Sequence, residues 1–366
     1  MRRTRMLAMA VVATLVVAAC GGDDDAATTT VDNVTTEPVT TEPATTEPAT
    51  TEPEAPMESG TLTVYSGRGE DLVQPIIDRF TEETGIQVEV RYGNSAEMLL
   101  LIQEEGANSP ADVYYAQGAG FLGTLSETGA LMELDQDILG LVDEGLRSPA
   151  DDWVGLTGRA RVVSYNTKVL SEADLPDSLL GFTDPKWKGR IAWAPTNASF
   201  QDHVTAMRFI IGEEATRDWL EGIVANNPVE YEKNGAALQG VGAGEAEVGL
   251  LNHYYLYGAL IEDPGLPVAN KYYTDGDPGA LVNIAGAGVL ATSDMPQSAM
   301  QLLRFLLSAE AQEYFSSTNF EIPVVAGVAP PEGVPTIDSL VLPVFDLNLL
   351  LDLQGTVDLL IDVGAL

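Results

Sequence analysis

The chain is short of almost everything from which enzymatic chemistry is usually assembled. Cys20 is the single cysteine among 366 residues, so no internal disulfide can form. Two histidines, His203 and His253, are too few for a Cys/His zinc set, and no H-E-x-x-H run is present. A G-x-S-x-G elbow and a phosphate-binding loop are also missing, which leaves nucleophilic catalysis without an apparatus. An exported enzyme would need a nucleophile–base pair that the sequence does not display, so the expectation is a non-enzymatic binding protein. Basic residues are scarce: 18 Lys and Arg against 55 Asp and Glu give a formal net charge of -37. Such a balance argues against nucleic acid or an anionic membrane surface as partner and suits the attraction of cations. Long apolar runs are lacking too. Met6 to Ala19 is too short to span a bilayer, and the later helical patterns are amphipathic or short.

What is present first concerns the compartment. Arg2, Arg3 and Arg5 precede the Met6–Ala19 run, and Val17-Ala18-Ala19-Cys20 resembles the lipobox of bacterial lipoprotein signal peptides. The resemblance implies that residues 1–20 are a signal peptide and that Cys20 is lipidated, anchoring the protein to the outer face of the cytoplasmic membrane. The alternative is an ordinary signal peptide with a leftover thiol. Residues 21–59 carry Asp23-Asp24-Asp25 and four Thr-Thr-Glu-Pro units, from Thr35, Thr40, Thr45 and Thr50. With almost no apolar residue to offset the entropy of ordering, this stretch is expected to be a disordered, extended tether.

From Gly60 the pattern changes to alternating strands and helices, in a length sufficient for two lobes with real cores. Thr61–Ser66 alternates as a strand and ends in Gly67-Arg68-Gly69. A helix follows over Glu70–Thr84, with Leu72, Ile76, Ile77 and Phe80 at helical spacing and Gly85 as its stop. Strand Ile86–Val90, helix Ala96–Glu105 and strand Ala111–Tyr115 continue a rhythm that predicts a parallel sheet with right-handed crossovers. Tyr114 and Tyr115 lie along a strand and are expected in the core. Arg159–Asn166 is strand-like and is expected to cross into a second lobe. There Ile191–Trp193 leads into a helix opened by Pro195-Thr196-Asn197-Ala198-Ser199-Phe200-Gln201 and running to about Ile211. Helices over Thr216–Asn226 and Ala236–Ala243 follow. Ala280–Gly286 is expected to cross back, before helices over Ala299–Ser308 and Ala309–Ser317. The dense apolar pattern of Leu347–Leu366 needs a groove on one lobe. The lobes are thus expected over 60–160 with 285–335, and over 161–284 with 336–366. The glycines between Gly240 and Gly249, and Gly286-Ala287-Gly288, do not make a dinucleotide fingerprint, since neither sits between a strand and a helix as G-x-G-x-x-G.

Two stretches offer binding chemistry. Asn252-His253-Tyr254-Tyr255 follows the short apolar strand Gly249-Leu250-Leu251 and precedes the helix-like Leu256–Ile261. Adjacent tyrosines on a strand would point to opposite faces as core residues. At a strand-to-helix junction, where open α/β sheets place ligands, two phenols can converge on one ion. His253 is a ligand, a group that supports the ligands from behind, or a packing residue. The second stretch is the helix start at Asn197-Ala198-Ser199, which is either a simple N-cap or an anion site made of free backbone N–H groups. His203, on the same helix, is expected at the surface or in a capping role.

These motifs carry a resemblance. Thr61-Leu62-Thr63-Val64-Tyr65-Ser66-Gly67-Arg68, Gly158-Arg159-Ala160-Arg161-Val162 with Tyr165-Asn166, Pro195–Gln201, Asn252-His253-Tyr254-Tyr255 and Asp277-Pro278-Gly279-Ala280-Leu281-Val282 resemble the ferric-iron-binding substrate-binding proteins of ABC importers. The resemblance covers about Gly60 to Leu366. It implies an α/β, type II periplasmic-binding-protein-like fold: two lobes, each a mixed sheet flanked by helices, joined by crossing hinge strands and closing on Fe³⁺. It implies Tyr254 and Tyr255 as metal ligands, which suits a hard, highly charged ion that favours anionic oxygen. It also implies a synergistic anion, phosphate or carbonate, at Asn197, Ala198 and Ser199, with Asn234 and Asn252 as side-chain partners; Arg161 either adds positive charge there or belongs to a structural ion pair. The implied partners are an ABC permease with its ATPase, with no nucleic acid, membrane contact only through the lipid anchor, and a monomeric state. The chain also departs from the family pattern. Gly69 stands where many relatives have a histidine, Gln117 where a glutamate ligand is expected, and Phe200 where others carry a third tyrosine. Gln117 is a weaker neutral ligand, and Glu70 is a substitute or simply a helix-start carboxylate. The sparse first lobe leaves a second reading open: a receptor for a ferric chelate, phosphonate or other small organic anion.

Overall fold

The computed structural model describes residues 60–340, 350 and 352–366. The lipobox, the tether, residues 341–349 and residue 351 lie outside the described residues, and with them part of the C-terminal apolar pattern.

Three parallel strands begin the fold: β1 (Thr61–Ser66) lies between β2 (Gln87–Tyr92) and β3 (Val113–Ala116). Helices Glu70–Thr84 and Ser95–Glu105 make the crossovers. The first forms because Val73, Ile76, Ile77 and Phe80 recur at three and four residues and are buried together, with Glu70 and Asp71 complementing the helix N-terminus. It ends at Gly85, whose left-handed φ of 76° lets its N–H close onto the Thr81 carbonyl.

The organising strand is β4 (Val154–Asn166), buried along its whole length. Its first half pairs antiparallel with β9 (Val282–Val289), its second half with β7 (Val248–Asn252) and β8 (Val268–Lys271). The change of partner falls between Ala160, opposite Val282, and Arg161, opposite Asn252. β5 (Ile191–Trp193) and β6 (Val229–Glu230) extend the second half, giving the order β2-β1-β3-β9-β4-β7-β5-β6, and β10 (Ile322–Pro323) pairs with the first half of β4.

Each half of β4 has its own hydrophobic core. Leu62, Phe80, Leu122, Ile284 and Leu302 are among the residues of the first; Val163, Trp193, Phe200, Val204 and Trp219 are among those of the second. Each such side chain contributes about 1.5–3 kcal/mol by leaving water. A smaller cluster with Leu238, Leu251 and Leu256 covers the other face of β7. Helix Leu353–Asp362 seats Leu359 and Leu360 in the second core, and Arg208 reaches Asp352 at 2.8 Å, whereas Leu340 and Leu350 belong to the first core. Among the described residues no helix is long and apolar enough to cross a membrane.

The strand predicted at Arg159 starts five residues earlier, at Val154. Its Gly155 is not a turn signal: a Cβ there would stand 2.7 Å from the Leu146 carbonyl oxygen and 2.5 Å from Ile284, so close packing demands glycine. Helix Ala119–Glu127 and strand β8 escaped the sequence reading.

Candidate functional site

The tyrosine pair stands where β4 exchanges partners. β7 ends at Asn252, and helix Tyr254–Glu262 starts two residues later, with His253 already helical at φ -59° and ψ -41°. In an extended chain the two phenols would point apart. At this first turn they stack instead, ring centroids 4.4 Å apart and planes 28° from parallel. Both are half-buried. Burial, and then the neighbouring Tyr254 phenol, raise the Tyr255 hydroxyl above its usual pKa, while Asn234 and the Arg159 charge pull it back.

His253 is fixed by two backbone contacts. Its Nδ1 accepts from the Ala160 N–H at 3.1 Å, which leaves Nε2 to donate to the Phe320 carbonyl at 2.8 Å. Burial pushes its pKa down to about 4, so the ring is neutral near pH 7. With both nitrogens taken, it is a packing residue in this arrangement, and the metal-ligand alternative has no free lone pair. Among the described residues, no group of three or more His, Cys, Asp or Glu could hold a metal ion.

Around the pair lies a buried set of cations. Arg161 donates to Asn252 Oδ1 and to the Leu250 carbonyl, each at 2.8 Å. Burial pushes its pKa down to about 10, against the opposing effect of Tyr254, Tyr255 and Asp202. Arg159, two residues earlier, donates to the Gln117 carbonyl. Arg68, in the turn after β1, pairs with buried Glu321 and lies within electrostatic reach of Tyr254. Asp202 faces this set from helix Ala198–Ile210. It accepts from Asn283 Nδ2 at 2.6 Å, and burial pushes its carboxyl up to about 6 despite the pull of Arg159 and Arg161. Among the described residues, Nε of Arg68, Arg159 and Arg161, Nδ2 of Asn252 and Oδ1 of Asn234 have no hydrogen-bond partner. Glu321 Oε2 and Asn283 Oδ1, in the same surroundings, are also without a partner. Leaving such a buried group unpaired costs about 1–3 kcal/mol. The three guanidinium groups make the cluster able to receive an acceptor-rich group.

The helix start lies next to this set. Asn197 caps helix Ala198–Ile210 by accepting from the Ser199 N–H at 3.0 Å, and Asn234 Nδ2 donates to the same Asn197 oxygen at 3.2 Å. The cap therefore occupies one of the helix's free N–H groups. Asn234 and Ser199 are buried, Asn197 half-buried and Ala198 exposed. Phe200, fully buried, meets the Trp193 ring edge-on at 5.5 Å and carries the Arg161 guanidinium 5.9 Å above its ring. It is a core residue on which a cation rests. His203 overturns its expectation as a surface or capping group: it is 3 % exposed, its Nε2 lies 2.7 Å from the Pro278 carbonyl, and burial pushes its pKa down to about 3.

On the other side of the partner switch, Gln117 is half-buried just after β3, its N–H donating to Ser95 Oγ at 2.9 Å. Gly69 and Glu70 are exposed at the start of the first helix. Arg68, Arg159, Asp202, Asn283 and Glu321 were not singled out from the sequence. The available signal was a charge or amide inside an otherwise apolar strand or helix face, plainest in Arg159-Ala160-Arg161.

Comparison with known proteins gives consistent relatives. A family model described as bacterial extracellular solute-binding protein matches residues 75–337. The chain is 37% identical over 268 residues to the major ferric iron-binding protein of Neisseria meningitidis serogroup B, which covers 72% of this chain and 80% of that protein. Iron-bound HitA from Pseudomonas aeruginosa superposes with a TM-score of 0.77 at 36% identity, covering 83% of this chain and 99% of that one. Trichodesmium IdiA (FutA) in complex with iron and citrate superposes with a TM-score of 0.74 at 30% identity, with the same two coverages.

Proposed function

The chain belongs to the bacterial extracellular solute-binding proteins, and from that premise we propose that it is the component of an ABC importer that captures Fe³⁺ between two lobes and hands it to a permease. The fold is the two-lobed, type II periplasmic-binding-protein fold. The lobes we assign are 60–160 with 285–335, and 161–284 with the C-terminal helix. The role is that of a carrier rather than a catalyst. The observation that carries the reading is the pair of phenols turned to one side, beside three buried arginines.

In this reading Tyr254 and Tyr255 ligate the ion as phenolates, and Gln117 is the first-lobe candidate to reach it. Asn197, Ala198, Ser199, Asn234, Asn252 and Arg161 receive an oxyanion. Charge supports the anion. Two phenolates, Asp202 and Glu321 offset the guanidinium groups of Arg68, Arg159 and Arg161 with one negative charge to spare. Fe³⁺ would then leave the buried site two charges positive, a state strongly disfavoured at low dielectric. An accompanying phosphate, carbonate or carboxylate-bearing chelator removes that excess. The same count favours the second reading, a receptor for a ferric chelate, over capture of the bare ion. Lipidation at Cys20 would hold the folded part at the outer face of the cytoplasmic membrane.

Titration of the apo protein with Fe³⁺, alone and with phosphate, carbonate or citrate, tests both readings. The expected result is a visible ferric-phenolate band that intensifies with one of the anions and vanishes in Tyr254→Phe/Tyr255→Phe. A colourless wild-type mixture under all four conditions refutes the iron assignment.

A further inference from the structure

His253 is a side chain that ties the tyrosine turn to a segment of the first core. Besides its two side-chain bonds, its own N–H donates to the Ala160 carbonyl at 3.0 Å, so it brackets the last residue of β4 before the partner switch. The contact on its far side is of another kind. Phe320 is 67 positions away in sequence. It ends helix Ala309–Asn319 in the left-handed conformation, at φ 56° and ψ 28°, which an L side chain adopts only under constraint. That conformation aims its carbonyl at the His253 Nε2–H and sends the chain directly into Glu321.

From Glu321 the path closes on itself. Its carboxylate pairs with Arg68, and Arg68 lies within electrostatic reach of Tyr254. The Phe320 ring stacks on Tyr257, one turn along from Tyr254, at 6.0 Å and 21°. The imidazole presents an edge to Tyr254 at 5.8 Å and to Tyr257 at 6.4 Å. The segment that fixes the counter-charge of Arg68 is thus the one that fixes the ring behind the phenols.

We propose that His253 is a positioning residue: a neutral strut between Ala160 and Phe320 that locks the direction of the tyrosine pair to the first-lobe segment bearing Glu321. This rests on the iron reading above for its functional consequence, though not for its geometry. Partners of metal-ligating groups typically set affinity by 10–100-fold when removed. The strut also explains why a histidine stands here while neither nitrogen faces the cargo. Only a side chain with an acceptor and a donor at opposite ends can bridge an N–H and a carbonyl on two segments.

Two substitutions separate its halves. Asn offers an oxygen near the Nδ1 position, so His253→Asn keeps the Ala160 bond and loses Phe320. Gln reaches the Nε2 position with an N–H, so His253→Gln keeps Phe320 and loses only the side-chain bond to Ala160, whose carbonyl the residue-253 N–H still holds. The expected outcome is that H253Q binds Fe³⁺, supplied with phosphate, within about threefold of wild type and with an unmoved ferric-phenolate band. H253N should lose on the order of 10–100-fold, with the band displaced and faster iron loss to a competing chelator. H253N behaving as wild type, or H253Q falling as far as H253N, overturns the proposal. A third measurement is independent of iron. Long-range ¹H–¹⁵N correlations of the apo protein should find the Nε2–H tautomer of His253, and an Nδ1–H tautomer overturns the strut even if iron binding fails altogether.

Discussion

Loading the cleft should expel two protons, and their source can be assigned. Phenols ionise near pH 10 in water, so holding one as phenolate at pH 7 costs about 4 kcal/mol before the metal repays it. Tyr255 costs more, since burial and the adjacent Tyr254 both raise it. If both phenols give up their protons on binding, apparent affinity should rise about 100-fold per pH unit, the signature of two protons released per ion. Calorimetry at about pH 8 in two buffers of different ionisation enthalpy counts these protons. The iron donor's own contribution is obtained by dissociating it with an unrelated chelator. Tyr254→Phe and Tyr255→Phe should each release one proton fewer than wild type. If either single variant releases the same number as wild type, that phenol is not a ligand. If affinity is flat between about pH 6 and 8, the phenolate chemistry fails as a whole.

Two further outcomes follow from the buried charges. Arg161→Met preserves length and packing on Phe200 but removes one charge and its donors from the anion cluster; affinity measured with phosphate should fall about 10–100-fold, from hydrogen bonds to a charged group worth about 1.5–3 kcal/mol, while affinity without anion should rise or hold, never fall. Urea melts of Arg161→Met show whether it is folded, and melts of wild type against His203→Gln give a pH effect. His203 and His253 have folded pKa values pushed down to about 3 and about 4 by burial, so the stability of their neutral forms is whole above about pH 6.5 and is lost as pH falls toward those values. Asp202, pushed up to about 6, acts with the opposite sign, gaining stability as pH falls from 6 toward 4, and offsets part of one histidine. The wild type should therefore lose on the order of 3 kcal/mol between pH 6.5 and 4, and H203Q markedly less; equal slopes for the two proteins refute the assignment.

The part of the fold that sequence conveys is the part written in local periodicity. Glu70–Thr84 was read to the residue because its apolar spacing, acidic start and Gly85 stop agree with one another. β4 was read short because Gly155 and Gly158 sit where a neighbouring strand or loop approaches too closely for a Cβ, and a glycine in a central strand looks like a break. At the site, the tyrosine pair was legible because its place at a strand-to-helix junction is itself a local property. His203 was not, because burial of a helix face depends on what a distant segment, here Pro278, lays over it. Arg68 and Glu321 are 253 positions apart, and no local pattern joins them.

The two electrostatic properties of the chain point in opposite directions, and that opposition has a physical use. A net charge of -37 surrounds the protein with a field that concentrates cations near its surface. Screening confines that field to about 10 Å at ordinary ionic strength, so it acts on approach and hardly inside the cleft. Within the cleft the balance reverses. Arg68, Arg159 and Arg161 outnumber Asp202 and Glu321, so until phenolic protons leave these surroundings favour an oxyanion over a metal ion. A bare trivalent ion arriving first would face three guanidinium groups and two phenols that have yet to ionise. An oxyanion arriving first, or together with the metal, turns the same surroundings attractive and makes loss of the phenolic protons easier. In the carrier reading the surface charge gathers the cargo, the buried arginines require it to come with an anion, and the tyrosine pair ionises only when both are present.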